Sequence, residues 1–180
     1  MEYVTQLVIV FALYSFVGWC GEVVYTFLRE RRWVNRGFLS GPFFLLYGVG
    51  AIVPVILCSP HDNLWQVLAI AMVWSAIVEY GGSLLLEHIG LSYWDYSDKP
   101  YNLHGRICLE SIGTFVAGIL ALVYVFNPPI MVALVQSSPT LVSLVSMLFV
   151  IYAVADGYRK LQSQLAWHRQ TGAIRTHITR

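Results

Sequence analysis

Charged residues are scarce in this chain. Asp, Glu, Lys and Arg make up 12% of its 180 residues, whereas soluble domains contain about 25%. Apolar residues make up 57%, and a domain of this length has too little interior to bury them all. The composition excludes a soluble enzyme, a disordered segment and a free-standing nucleic-acid-binding domain. It indicates a membrane protein whose apolar surface contacts the lipid bilayer.

Common catalytic motifs are missing as well. The chain contains no GxxxxGK[ST] sequence, so it has no P-loop for ATP hydrolysis. It contains no HExxH, no GxSxG and no DxxxD-type acidic pair, and its three cysteines show no zinc-binding spacing. We therefore expect no resident metal and no cofactor, and an enzyme is not the first interpretation of this sequence.

Five apolar segments match the roughly 20 helical residues that a bilayer crossing needs. We predict an all-α membrane protein with about five transmembrane helices, over 3–28, 38–57, 64–88, 107–126 and 140–158. The apolar piece 130–135 is too short to cross, so we predict an outer loop there, with a re-entrant turn as the alternative. The spans form a transmembrane domain over 1–158, followed by a basic cytoplasmic tail over 159–180.

All eleven basic residues lie in three segments: the loop after span one, the loop after span three and the tail. Five crossings place these three segments on one side of the membrane. Short cytoplasmic loops carry the excess of Lys and Arg. We therefore predict an outside amino terminus, a cytoplasmic carboxy terminus and a location in the inner (cytoplasmic) membrane.

Acidic residues within the spans are candidates for function, since a charged group at the bilayer centre costs at least about 2.5 kcal/mol to insert. Glu22 and Glu79 lie in the inner halves of spans one and three, at comparable depth. Glu87 follows Glu79 by about two helical turns, on nearly the same face. We predict that Glu79 and Glu87 form a polar stripe leading inward from the cytoplasm.

Similar polar segments precede spans two and four, Asn35-Arg36-Gly37 in the first and Asn102 to Arg106 in the second. We interpret them as parts of a parallel two-helix repeat, spans one and two followed by spans three and four; chance similarity is the alternative. A repeat predicts that Glu22 and Glu79 face Arg36 and Arg106 across one cytoplasm-facing pocket. The competing interpretation is that these ion pairs only lock the helix bundle.

The loop after span three is rich in aromatic residues. Trp94, Asp95 and Tyr96 are candidates for a lid over the pocket, with Asp95 paired to Arg36 or Arg106. An ordinary aromatic belt at the membrane interface is the alternative. The predicted ligand-binding set is Glu22, Asn35, Arg36, Glu79, Glu87, Trp94, Asp95, Tyr96, Asn102 and Arg106.

A family resemblance joins these motifs. Tyr14-Ser15-x-x-Gly18-Trp19-x-x-Glu22, Asn35-Arg36-Gly37-Phe38-Leu39-x-Gly41-Pro42, Tyr47-Gly48, Glu79, Glu87, Trp94-Asp95-Tyr96-Ser97, Asn102 and Gly105-Arg106-Ile107 are the residues that carry it. Over about 11–126 the chain resembles the bacterial membrane family labelled Putative ABC-transporter type IV (CmpB-like). The resemblance implies a permease-like subunit with a separate ATPase subunit, and so few spans imply a homo-oligomer.

Three functions follow from these residues. The first is a transport-related membrane protein whose pocket takes a small molecule or an ion, with no role for nucleic acid. The second is an intramembrane enzyme for a lipid or isoprenoid phosphate, in which two acids and His104 hold a metal or act as acid and base. The third is a non-catalytic membrane scaffold.

Overall fold

The computed structural model describes residues 2–31, 39–88, 90, 92 and 94–171. In chain order the elements are α1 (Glu2–Glu30), α2 (Leu45–Leu57), α3 (Leu64–His88), β1 (Asn102–Leu103), β2 (Ile107–Cys108), α4 (Leu109–Ala121), a π-helical segment (Leu122–Phe126), α5 (Asn127–Gln136) and α6 (Pro139–Thr171). The two short strands pair antiparallel. The predicted all-α membrane fold is confirmed, with this hairpin as the only sheet in the described part of the chain.

Four helical stretches are long and apolar enough to cross a bilayer: Glu2–Leu28, Leu64–His88, Leu109–Gln136 and Pro139–Ser163. The predicted second span is shorter, because α2 has only 13 residues and follows non-helical backbone over 39–44. A helix of that length spans roughly 20 Å, less than the hydrocarbon core. Gly41-Pro42 explains the late start, since neither residue favours a helix.

The prediction of a loop or re-entrant turn over 130–135 is wrong. These residues belong to α5, and the helix is continuous from Leu109 to Gln136. Pro128 and Pro129 lie near the start of α5, inside this continuous helix, and neither has a backbone N–H to bond to the preceding turn. The π-helical segment directly before them shifts the hydrogen-bond register. The prolines therefore do not end the helix, and the fourth span is longer than predicted.

Two compact units are formed, unit 1 by Met1–Ile52 with Asn127–Ala166, and unit 2 by Val53–Phe126 with Trp167–Arg180. In unit 1, glycines allow α1 and α2 to approach closely. A Cβ atom on Gly18 would overlap the Tyr47 ring, and one on Gly48 would overlap the Ser15 hydroxyl. Because the later residue of α2 lies beside the earlier residue of α1, the two helices are antiparallel.

A second set of contacts in unit 1 involves α6. Phe43 lies against Phe149 and Tyr152, with ring centroids 5.1 and 5.6 Å away. The backbone N–H of Ser40 donates to Asp156 Oδ2 at 2.6 Å. These contacts hold the non-helical segment before α2 against α6. Beyond its apolar stretch α6 continues to Thr171, so the first part of the predicted tail is helical.

In unit 2, α3 packs against α4. The buried face of α3 repeats every three or four residues, as one side of a helix requires. Its members are Val67, Ala71, Ser75, Val78, Glu79 and Ser83. The opposite face exposes large apolar side chains such as Val73 and Leu85, which suit contact with lipid. This helix therefore buries several polar residues together with apolar ones on one face and exposes large apolar side chains on the other.

Candidate functional site

Polar side chains recur every fourth residue along α3, at Ser75, Glu79, Ser83 and Glu87. A spacing of four residues keeps them on one helical face. Exposure rises along this row from Ser75 and Glu79, which are buried, to Glu87, which is exposed. The row therefore leads from the interior of unit 2 to the end of α3.

Glu79 is the buried centre of the row, with 2% of its surface exposed. Its Oε1 accepts a long hydrogen bond of 3.4 Å from the Tyr96 hydroxyl. Its Oε2 has no hydrogen-bond partner among the described residues. A buried carboxyl in an apolar span is costly when one of its oxygens lacks a partner, so Glu79 is a candidate for function.

Serine residues lie on the turns of α3 before and after Glu79 and on α4. Ser111 lies on α4 within reach of Glu79, but its hydroxyl donates to the Cys108 carbonyl at 2.9 Å. Ser75 is 1% exposed, and its hydroxyl has no partner among the described residues. Ser83 donates to Glu87 at 3.4 Å. Ser75, Glu79, Ser83, Tyr96 and Ser111 form what we term the Glu79 cluster.

The three serines of the Glu79 cluster were not predicted from the sequence. Ser75 and Ser83 are four residues before and after Glu79. This spacing is the signal in the sequence that places them on the same helical face as Glu79. Ser111 had no such signal, because it belongs to the capping box of α4, in which Cys108 is the N-cap residue. Its position beside Glu79 follows only from the packing of α3 against α4.

Arg106 lies at the exposed end of the row. Its guanidinium donates to Glu87 Oε2 at 2.6 Å and lies 5.5 Å from the centre of the Tyr80 ring. The Tyr80 hydroxyl is 2.9 Å from His104 Nδ1. The hydrogen bond with Glu87 raises the pKa of Arg106, so this side chain remains a cation. Arg106, Glu87, Tyr80 and His104 form what we term the mouth.

The loop before α4 is held by its own hydrogen bonds. Trp94 Nε1 donates to the Arg106 carbonyl at 2.9 Å, and Tyr96 N donates to the Gly105 carbonyl at 2.8 Å. Asn102 donates to the Lys99 carbonyl at 2.8 Å and accepts from Gly105 N at 3.0 Å. Trp94 and Asn102 therefore fix the loop, while Tyr96 also reaches Glu79.

The predicted pairing of Asp95 with Arg106 is wrong, because Arg106 pairs with Glu87. Asp95 Oδ1 instead accepts from the Ser97 hydroxyl at 2.6 Å and from Ser97 N at 2.9 Å. These two hydrogen bonds lower the pKa of Asp95. The local turn satisfies this carboxylate before it can reach a guanidinium. The alternative partner, Arg36, lies outside the described residues, as does Asn35.

Glu22 belongs to unit 1, where it accepts a hydrogen bond of 2.7 Å from the Tyr47 hydroxyl. Thr26, one turn later on α1, is fully buried, and its hydroxyl has no partner among the described residues. Glu79 belongs to the other unit, unit 2. The pocket shared by the two glutamates stays a prediction.

The metal-dependent interpretation depends on His104 and two acids. Among the described residues no group of three His, Cys, Asp or Glu side chains is arranged to hold a metal ion. His104 faces Tyr80 across a hydrogen bond. The described residues therefore give the metal-dependent form of the enzyme hypothesis no specific support.

A family model described as Putative ABC-transporter type IV matches residues 9–161. The chain belongs to this family. The match extends beyond the predicted 11–126 and takes in most of α6. No curated protein and no solved structure matches the chain. Family membership and the apolar helices together identify a multi-pass membrane protein of an ABC-transporter-related family. Such a protein lies in the lipid bilayer, and the family name is consistent with a separate ATPase partner.

Proposed function

We propose that this protein is a permease-like subunit of a transport system in the cytoplasmic membrane, powered by a separate ATPase. Family membership over 9–161 supports a transport role. The sequence contains no P-loop, so ATP hydrolysis by such a system requires another chain. Self-association is part of the proposal, because one chain has few helices from which to build a solute pathway.

The observation that carries this proposal is the Glu79 cluster. Polar residues inside membrane helices usually face a pathway or a bound ligand. Here they extend from the buried Glu79 to the mouth, where Arg106 is 23% exposed in its side chain. A polar ligand that enters at Arg106 meets Glu87, then Ser83, then Glu79. We assign the predicted Glu22, Asn35 and Arg36 to ligand binding in the same system.

The proposal is tested on the tagged protein purified from its native membranes into lipid nanodiscs. We expect a P-loop ATPase to co-purify and its ATP turnover to depend on the protein. Glu79→Gln should abolish the coupling of turnover to uptake in proteoliposomes. Glu110→Gln is the matched control, because Glu110 is an acid in unit 2 whose side chain is 70% exposed and pairs with Lys99.

Two results would contradict the proposal. One is a folded preparation with no ATPase and no ATP-dependent uptake. The other is uptake in which Glu79→Gln equals the wild type while its thermal unfolding midpoint falls, since that pattern belongs to a scaffold residue.

A further inference from the structure

We propose that the Glu79 cluster binds a small monovalent cation inside the membrane. The inference rests on the proposed function in one respect, since it names a ligand for the site through which transport is proposed. It concerns unit 2 alone. The buried oxygen atoms on α3 and the residues that contact them support it.

Two buried oxygens of α3 belong to residues one helical turn apart. Glu79 Oε2 and Ser75 Oγ have no hydrogen-bond partner among the described residues, and the two residues are 2% and 1% exposed. Buried polar atoms are nearly always paired with protein or water. Both side chains lie on the buried face of α3. A ligand that satisfies one is therefore in a position to satisfy the other.

The donor atoms of the cluster indicate the class of ligand. They are a carboxylate, serine hydroxyls and the Tyr96 phenol, and hard cations prefer such oxygen ligands. The cluster contains one carboxylate, which balances one positive charge. A divalent ion would keep a net charge in an apolar span, which is costly. An alkali ion or the ammonium group of a substrate carries the matching charge.

The other carboxylate on α3 does not change this balance. Glu87 lies two turns from Glu79 and pairs with Arg106 at 2.6 Å, so its charge is already compensated. Ser83, between them, donates to Glu87. The mouth therefore supplies a polar approach, while the unbalanced charge stays at Glu79.

The experiment uses the full-length purified protein in nanodiscs, without an ATPase. The thermal unfolding midpoint is measured by tryptophan fluorescence in lithium, sodium, potassium and methylammonium chloride. N-methylglucamine chloride at equal ionic strength is the reference. We expect at least one small cation to raise the midpoint saturably in the wild type and in Glu110→Gln, but not in Glu79→Gln.

A second variant separates ligation from general stability. Ser75→Ala removes one proposed oxygen ligand and should raise the half-saturating cation concentration by about tenfold, with a near-normal midpoint in the reference salt. It also keeps the test usable if Glu79→Gln does not fold. Response to methylammonium alone assigns the cluster to an ammonium group, whereas response to an alkali ion assigns it to the metal ion.

The inference is overturned if folded wild-type protein melts identically in all five salts. It is also overturned if Ser75→Ala responds with the wild-type half-saturating concentration. Both readouts are independent of the transport proposal. A protein that binds a cation but has no ATPase loses only its transport role, and an ATPase-coupled protein without a cation response loses only this inference.

Discussion

The glutamates of spans one and three have similar neighbours, although they lie in different units. Glu22 and Glu79 each accept a hydrogen bond from a tyrosine hydroxyl. Each is followed four residues later by a buried hydroxyl residue, Thr26 or Ser83. A tyrosine and a hydroxyl on the next turn suit a carboxyl that stays inside a membrane helix. These shared features agree with the predicted repeat, which stays a prediction.

The sequence predicts the position of a side chain correctly where that position depends on one helix. It does not predict which side chains pair when the pairing depends on the tertiary fold. The Glu79–Glu87 row follows from a spacing of eight residues on α3. The choice of Glu87 over Asp95 as the partner of Arg106 does not, because it depends on a turn in which Ser97 satisfies Asp95 first. Competition between a local turn and a distant cation is not visible in the order of residues.

At this scale, Asp95 gives a pH-dependent prediction. The bonds from Ser97 lower its pKa, so they stabilise the fold above about pH 4, the unfolded value, and the effect is lost as pH falls through the lower native value. Asp95→Asn should therefore lower the free energy of unfolding at pH 6. The loss should be less than about 1 kcal/mol, because the side chain is exposed. The deficit should shrink as pH falls below the unfolded value and vanish once pH is below the lowered native pKa of Asp95.

Melting curves of wild type and Asp95→Asn across this pH range provide the measurement. Asp98→Asn is the control, since Asp98 is an exposed acid in the same turn, and we expect it to track the wild type. A deficit of Asp95→Asn that is constant with pH would contradict the assigned cause.

Among the elements, length and apolar content were good predictors of the helices. The predicted third span, 64–88, has the bounds of α3. The start of α2 was predicted too early, because an apolar run does not show where Gly41-Pro42 allows a helix to begin. The β1–β2 hairpin was missed, since strands of two residues have no period. The sequence does not predict α5, because two consecutive prolines are typical of a loop.

The packing of α1 on α2 gives a prediction with a matched control on the same helix. A Cβ on Gly18 would overlap the Tyr47 ring, whereas one on Gly21 has open space. Gly18→Ala should destabilise unit 1 by about 1–3 kcal/mol, the usual cost of overpacking. It should also disturb the hydrogen bond from Tyr47 to Glu22. Gly21→Ala should stay within about 0.5 kcal/mol of the wild type.

Unfolding midpoints in the same detergent compare the two variants, with limited proteolysis as a second readout. Equal midpoints for Gly18→Ala and Gly21→Ala would show that α1 and α2 do not approach as closely as Gly18 and Gly48 indicate. A lower midpoint for Gly21→Ala than for Gly18→Ala would contradict the assigned packing outright.

For the whole molecule, the open question from the sequence is whether α2 crosses the membrane. Its 13 residues are few for a full crossing, yet the distribution of charge requires one. With five crossings all eleven basic residues lie on one side; if α2 does not cross, they divide four against seven. Cytoplasmic loops attract Lys and Arg strongly, so we predict that α2 crosses, together with the non-helical segment before it.

The amino terminus and the loop between α2 and α3 decide this prediction, because they lie on the same side only if α2 crosses. Glu2→Cys and, in a Cys58→Ser background, Asn63→Cys should both react with a membrane-impermeant maleimide in intact cells, as should Ser138→Cys. Lys160→Cys, in the predicted cytoplasmic tail, should react only after the membrane is opened. Protection of Glu2→Cys in intact cells, with Asn63→Cys and Ser138→Cys still labelled, would place α2 in a re-entrant position. It would also remove the argument that all basic segments face the cytoplasm.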